Sequence, residues 1–147
     1  NKLLYYCDML AYGMYGEPIT GADYMALERG PAPRLLLPIR RAMEEDDDIV
    51  IRQKMHFGLS QDRVVPLREP DLSMFSGKEI ALVDQVIRGL KDATGALLSE
   101  VTHAEYGWRI AELKESIPYQ SVFLSPEPAT RDDMDRAKEL AIERQWN

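Results

Sequence analysis

Residues 2–15 place Leu3, Leu4, Tyr5, Tyr6, Cys7, Met9, Leu10, Ala11 and Met14 on nearly every side of a helix. A helix that is apolar all round has no solvent face, so it is expected at the centre of the molecule, with other elements packed about it. The rest of the chain has to be arranged around this segment. At 147 residues the chain has the length of one domain, a size that buries about 70% of its unfolded surface. A hydrophobic content of 45% supplies a core and argues against wholesale disorder.

Punctuation residues divide the chain beyond this helix. Gly16-Glu-Pro-Ile-Thr-Gly21 ends the first helix, and Ala22 to Arg29 reads as a short second helix that packs through Tyr24, Met25 and Leu27. Gly30-Pro31 stops it, because Gly accepts positive φ and Pro31 removes an N–H and pushes Gly30 out of the α region. A third helix spans Pro33 to about Glu45, with Pro38 predicting a kink or a later start. It ends at Asp46-Asp47-Asp48, where acidic charge opposes the helix dipole. The period then changes. Ile49 to Phe57 and Arg63 to Leu67 read as strands of a hairpin joined by Gly58 to Asp62, with Pro66 marking the second strand as an edge.

Ser76-x-x-Glu79 fits a capping box and opens a helix whose inner face is Ile80, Val83, Ile87 and Leu90. Thr94 caps a short helix ending near Val101, and Thr102-x-x-Glu105 fits a second capping box that starts another, running to about Lys114. Ile117 to Phe123 reads as an extended arm and Ser125-Pro-Glu-Pro128 as a stiff linker. Thr130-x-x-Asp133 starts a last helix with Met134, Ala137, Ala141 and Trp146 inward. The expected fold class is mainly α, a compact helical domain over residues 1–124 with a small inserted β-hairpin. Residues 125–147 form a linker and a C-terminal helix packed on that domain.

The charge balance narrows the function. A formal net charge of −7, from 18 basic and 25 acidic residues, opposes a phosphate backbone and suits a basic partner. Arg34, Arg40 and Arg41 make a small basic cluster, but acids come close behind and the cluster reads as a solvated face. Cys7 is the single cysteine, so no disulfide framework is possible, which fits a reducing cytoplasm. No apolar run reaches the roughly 20 residues of a membrane span, and no signal-peptide pattern is present. The chain opens at Asn1 already helical and without a start Met, so the natural N-terminus is expected upstream.

Few residues offer chemistry. His56 and His103 are far apart, and a zinc site would need more N or S ligands than Cys7 supplies. Glu100 and His103 are spaced to share a helix face, but a cap at Thr102 would separate them, so no metal site is expected. Ser99, His103 and Glu105 suggest a hydrolase only superficially, since no nucleophile elbow or phosphate loop accompanies them. His103 reads instead as a junction residue donating to a backbone carbonyl. Trp108 is a junction anchor or an interface hot spot, and Tyr24 is expected to be buried against the first helix. The helices across 94–113 suggest a helix-turn-helix, although Glu105, Tyr106, Trp108, Arg109 and Glu112 suit phosphates poorly.

Seven motifs in a fixed order add a family resemblance. They are Lys2-Leu-Leu-Tyr-Tyr6, Ile19-Thr-Gly-Ala-Asp-Tyr24, Gly30-Pro31, Ser99-Glu100, Thr102-His103, Trp108 and Ile117-Pro118-Tyr119. Across residues 2 to 123 this set resembles the Panacea domain, also called the SocA-like antitoxin domain, of bacterial and phage toxin–antitoxin systems. Ala32 stands where a valine often succeeds Gly-Pro in that family. The resemblance implies a cytoplasmic, non-enzymatic antitoxin without a cofactor, which binds a cognate protein toxin and blocks it or hands it to a protease. The toxin would be a translation inhibitor, with a basic surface that an acidic domain attracts. Tyr24, Gly30, Pro31, Ser99, Glu100, Thr102, His103 and Trp108 are the fold anchors and interaction candidates. The alternative is a DNA-binding transcriptional regulator using 94–113.

Overall fold

The computed structural model describes residues 1–56 and 58–143. Helix α1, Lys2–Tyr15, begins where the Asn1 side chain accepts the Lys2 N–H. It ends at Gly16, whose φ of 80° turns its N–H back to the Tyr12 carbonyl. As expected, α1 lies at the centre. Tyr5 and Met9 pack with Tyr24, Ala26 and Ile117 on one side. Cys7 and Ala11 pack with Leu82 and Val86 on the other. Full burial of a side chain such as Leu82 stabilises by about 1.5–3 kcal/mol. The expectation of burial on every face is only half met, because Leu3, Leu4, Leu10 and Met14 remain 41–61% exposed.

The segment after α1 corrects the sequence reading. Residues 22–29 form no helix; Tyr24–Met25 is strand β1, antiparallel to β2, Ala32–Pro33, with Tyr24 opposite Pro33. Long-range pairing outweighs the local helical spacing. Ile117 N–H donates to the Tyr24 carbonyl at 2.7 Å, and Ala26 exchanges backbone hydrogen bonds with Lys114 and Glu115. Gly30-Pro31 therefore closes a turn between strands rather than ending a helix. Gly30 still needs its glycine, at φ 89°.

Helix α2, Leu36–Glu45, takes the later start, which leaves Pro38 in the first turn where its missing N–H costs nothing. It ends at Asp46 and buries none of its residues. Strands β3, Ile49–His56, and β4, Leu59–Pro66, form the expected hairpin. Its connection is shorter than the five residues read from Gly58 to Asp62, because Leu59 already pairs with His56. Arg68 pairs with Asp48 at 3.0 Å across the base of the hairpin.

Helix α3, Gly77–Leu90, starts at the Ser76 capping box, with Glu79 returning a bond to the Ser76 N–H at 2.7 Å. Its buried residues are Leu82 and Val86, and of the expected stripe Val83 and Leu90 pack partly buried beside them, whereas Ile80 and Ile87 stay exposed. Helix α4, Gly95–Ala104, is capped by Thr94 as read, but it runs through Thr102. Thr102 lies inside α4, its hydroxyl donating to the Leu98 and Ser99 carbonyls and its own carbonyl accepting the Glu105 N–H, so it opens no new helix. Helix α5 is only Tyr106–Ile110. Residues Tyr119–Phe123, expected to be extended, form a 3₁₀ helix. Helix α6, Arg131–Glu143, begins at a reciprocal Thr130–Asp133 cap. None of its described residues is buried; Met134 is exposed, and Trp146 lies outside the described residues. The fold is mainly α, with two small antiparallel hairpins.

Candidate functional site

The turn from Leu27 to Pro31 carries carbonyls that water cannot fully solvate, and distant side chains satisfy them one by one. Lys2 Nζ donates to the Arg29 carbonyl at 2.5 Å and to the Pro31 carbonyl at 3.1 Å. Ser99 Oγ donates to the Arg29 carbonyl at 3.0 Å. Trp108 Nε1 donates to the Leu27 carbonyl at 3.0 Å. Gly30 lies beneath this cluster; a Cβ there would overlap both Thr102 Oγ1 and Lys2 Nζ. Burial pushes the Lys2 ammonium down to about 8. The motif residues separated by some seventy positions thus meet in one joint, which pins the turn to α1, α4 and α5.

Each remaining candidate has a definite place. Tyr24 is buried with its ring edge-on to Tyr5, centroids 5.3 Å apart. Pro31 and Thr102 are fully buried. His103 stacks on Trp108 with centroids 3.9 Å apart, and its Nε2 has no hydrogen-bond partner among the described residues. A carbonyl bond of the kind expected of His103 is made by Trp108, to Leu27. Glu100 is exposed and stands apart from the joint. It borders an open cleft of about 930 Å³ that Lys2, Arg29, Ser99 and His103 also line.

Sequence reasoning missed Asp8. This carboxylate is fully buried on the central helix and accepts three hydrogen bonds. Thr20 gives its N–H at 2.7 Å and its hydroxyl, and Tyr24 its hydroxyl at 2.7 Å. Burial, and then the carboxylate itself, raise the Tyr24 hydroxyl well above the ordinary tyrosine range. The available signal was a single acid in a helix otherwise apolar on all sides. Glu105 plays a similar part at the α4–α5 junction, accepting the Tyr5 hydroxyl at 2.8 Å.

Two chemical readings can be set against this geometry. Ser99 Oγ points to a carbonyl, and no hydrogen bond joins it to His103 or Glu105 among the described residues. A nucleophile–base pair is therefore not assembled. No group of three or more His, Cys, Asp or Glu suited to a metal occurs among the described residues. A helix-turn-helix needs a turn of three or four residues and a second helix long enough to enter a groove. Here Glu105 alone joins α4 to a five-residue α5.

The family model described as the SocA-like antitoxin, Panacea domain, matches residues 1–109. The chain belongs to this family. The matched region contains the whole joint around Gly30, so the Panacea motif residues act here as the bolts of the fold. The match stops short of the Ile117-Pro118-Tyr119 segment that the resemblance took in. That segment nonetheless belongs to the core of this fold, with Ile117 buried and the Tyr119 hydroxyl bonded to the Ala22 carbonyl at 2.7 Å. Membership points to an antitoxin role opposite a toxin partner and to a non-enzymatic, regulatory protein. No curated protein and no solved structure matches the chain. Among the described residues no helix is long and apolar enough to cross a membrane.

Proposed function

We propose that this Panacea domain is the antitoxin of a toxin–antitoxin pair and neutralises its cognate toxin by direct protein contact, covering it or delivering it to a protease. The observation that carries this reading is the family match over residues 1–109, with the Lys2, Ser99 and Trp108 motif residues bonded to the turn around Gly30. The net charge of −7 supports a partner with a basic surface, such as a toxin that acts on RNA to stop translation in the cytoplasm. The neutralising unit is residues 1–124, and residues 125–147 are an appended linker and helix. Tyr24, Gly30, Pro31, Thr102 and Trp108 hold that unit together, whereas Glu100 is exposed enough to touch a partner.

The test is growth rescue. The gene adjacent to this one is expressed alone and then together with this chain. Toxicity relieved by co-expression, with co-purification of the two products, is the expected outcome. Toxicity that co-expression leaves unchanged would refute the reading.

A further inference from the structure

Helix α3 was expected to turn Ile80, Val83, Ile87 and Leu90 inward, yet Leu82 and Val86 are the residues that α1 buries. Ile80 and Ile87 of the expected stripe line an open groove, which Val83 also reaches while it packs, partly buried, beside Leu82 and Val86. Leu3 and Leu4 of α1 line the same groove, together with Leu72 and Phe75. These side chains are 38–49% exposed at Leu3, Leu4, Leu72, Phe75, Ile80 and Ile87, around a groove of about 640 Å³. A contiguous apolar surface of this kind marks an interaction site rather than an ordinary solvated face. It also accounts for the exposed Leu3 and Leu4 of α1.

We propose that this groove is where the toxin docks, through an amphipathic helix of the toxin whose apolar stripe is flanked by Lys or Arg. The proposal rests on the antitoxin reading above. Three observations choose this occupant. The charged side chains lining the groove, among the described residues, are the acids Glu79 and Asp84, the second paired with Arg88 at 2.5 Å, and no Lys or Arg lines the groove itself. Set in a chain of net charge −7, that rim attracts basic flanks. The same acids disfavour a second copy of this chain, because a symmetric pairing would bring like charges together. An added strand finds no footing either, since α1 and α3 satisfy their own backbone groups and offer no sheet edge. A helix laid between two helices reads Ile80, Val83 and Ile87 at i, i+3 and i+7, the anchor spacing of helix-in-groove recognition.

The experiment titrates the purified product of the adjacent gene into this chain and repeats the growth rescue with variants. Ile87→Asp and Phe75→Asp put charge into the groove, and each is expected to weaken binding about 30-fold, the scale of a central hot spot. Ile110→Asp, at an exposed site on α5 outside the groove, serves as the control and should bind as wild type. Asp84→Lys reverses an exposed rim charge and also frees Arg88 from its pair, and should slow association and flatten its salt dependence. Thermal melts separate lost contact from lost fold. Should both groove variants unfold, Asp84→Lys decides, and an unchanged rate and salt slope would overturn the proposal. Groove variants that bind like wild type overturn the groove while leaving the antitoxin reading intact. So would variants that alter only self-association. A wild-type chain that neither binds nor rescues overturns both.

Discussion

Gly30 bears two separate constraints, and they can be measured apart. Its φ of 89° is unfavourable for any side chain, and a Cβ would also collide with Lys2 and Thr102. Gly21 has a comparable φ of 66° with open space around it. Gly21→Ala should cost about 1–2 kcal/mol, the backbone penalty alone. Gly30→Ala should cost clearly more, about 3–4 kcal/mol, because overpacking adds to that penalty. Denaturant unfolding of the two variants checks the difference. The buried hydroxyls make a second prediction. Tyr24→Phe removes a hydrogen bond to the buried Asp8 carboxylate and should cost about 2 kcal/mol. Tyr5, Tyr24 and Tyr119 are all raised above the ordinary tyrosine value of 10.0, burial being the first cause in each. Above pH 10 the unfolded chain therefore loses tyrosine protons that the folded chain keeps, and stability must fall as pH rises. Lys2 has the opposite sign: lowered to about 8 from 10.5, it favours the folded state progressively between those values. Urea unfolding at a series of pH values should show a falling limb above about pH 10.5, shallower in Tyr24→Phe than in wild type.

Elements whose ends are set by neighbours in sequence were legible beforehand. Ser76, Thr94 and Thr130 each cap the helix they precede, because capping is decided within four residues. Elements whose partners lie far away were not. The 22–29 segment has helical spacing, but its backbone is claimed by residues 114–117 and 32–33. Thr102-x-x-Glu105 has the form of a capping box, yet the Thr102 hydroxyl bonds inside α4 and Glu105 accepts from Tyr5, which is a hundred positions away. The joint's residues could be named from motifs alone, but not the bonds that unite them. The α5–3₁₀ contact is testable at this scale. A Cβ on Gly107 would overlap the Ser121 side chain and come within 3.0 Å of Ile117 Cγ2. Gly107→Ala should cost about 2 kcal/mol. Adding Ser121→Gly should recover part of it, a non-additivity that a double-mutant cycle would read.

The boundary of the family match and the boundary of the folded unit differ, and the difference arises from where the core closes. The match ends at residue 109, but the first apolar cluster needs Ile117, and β1 needs the backbone of 114–117 for its hydrogen bonds. Tyr119 then stacks on Tyr12 at 5.5 Å and bonds to the Ala22 carbonyl. A chain cut after residue 109 would leave Tyr5, Met9, Tyr24 and Ala26 open on one side, with the N–H of Ala26 and the carbonyls of Tyr24 and Ala26 unpaired. Both losses are among the largest a small domain can suffer. A cut after Leu124 removes only the linker and α6, which buries none of its described residues. Thermal melts followed by circular dichroism should therefore show residues 1–124 unfolding cooperatively near the midpoint of residues 1–147 and residues 1–109 giving no cooperative transition. A cooperative transition from 1–109 would mean that the Gly30 joint and α3 suffice to organise α1. Failure of 1–124 would place part of the core in residues 125–147, where the described residues show none.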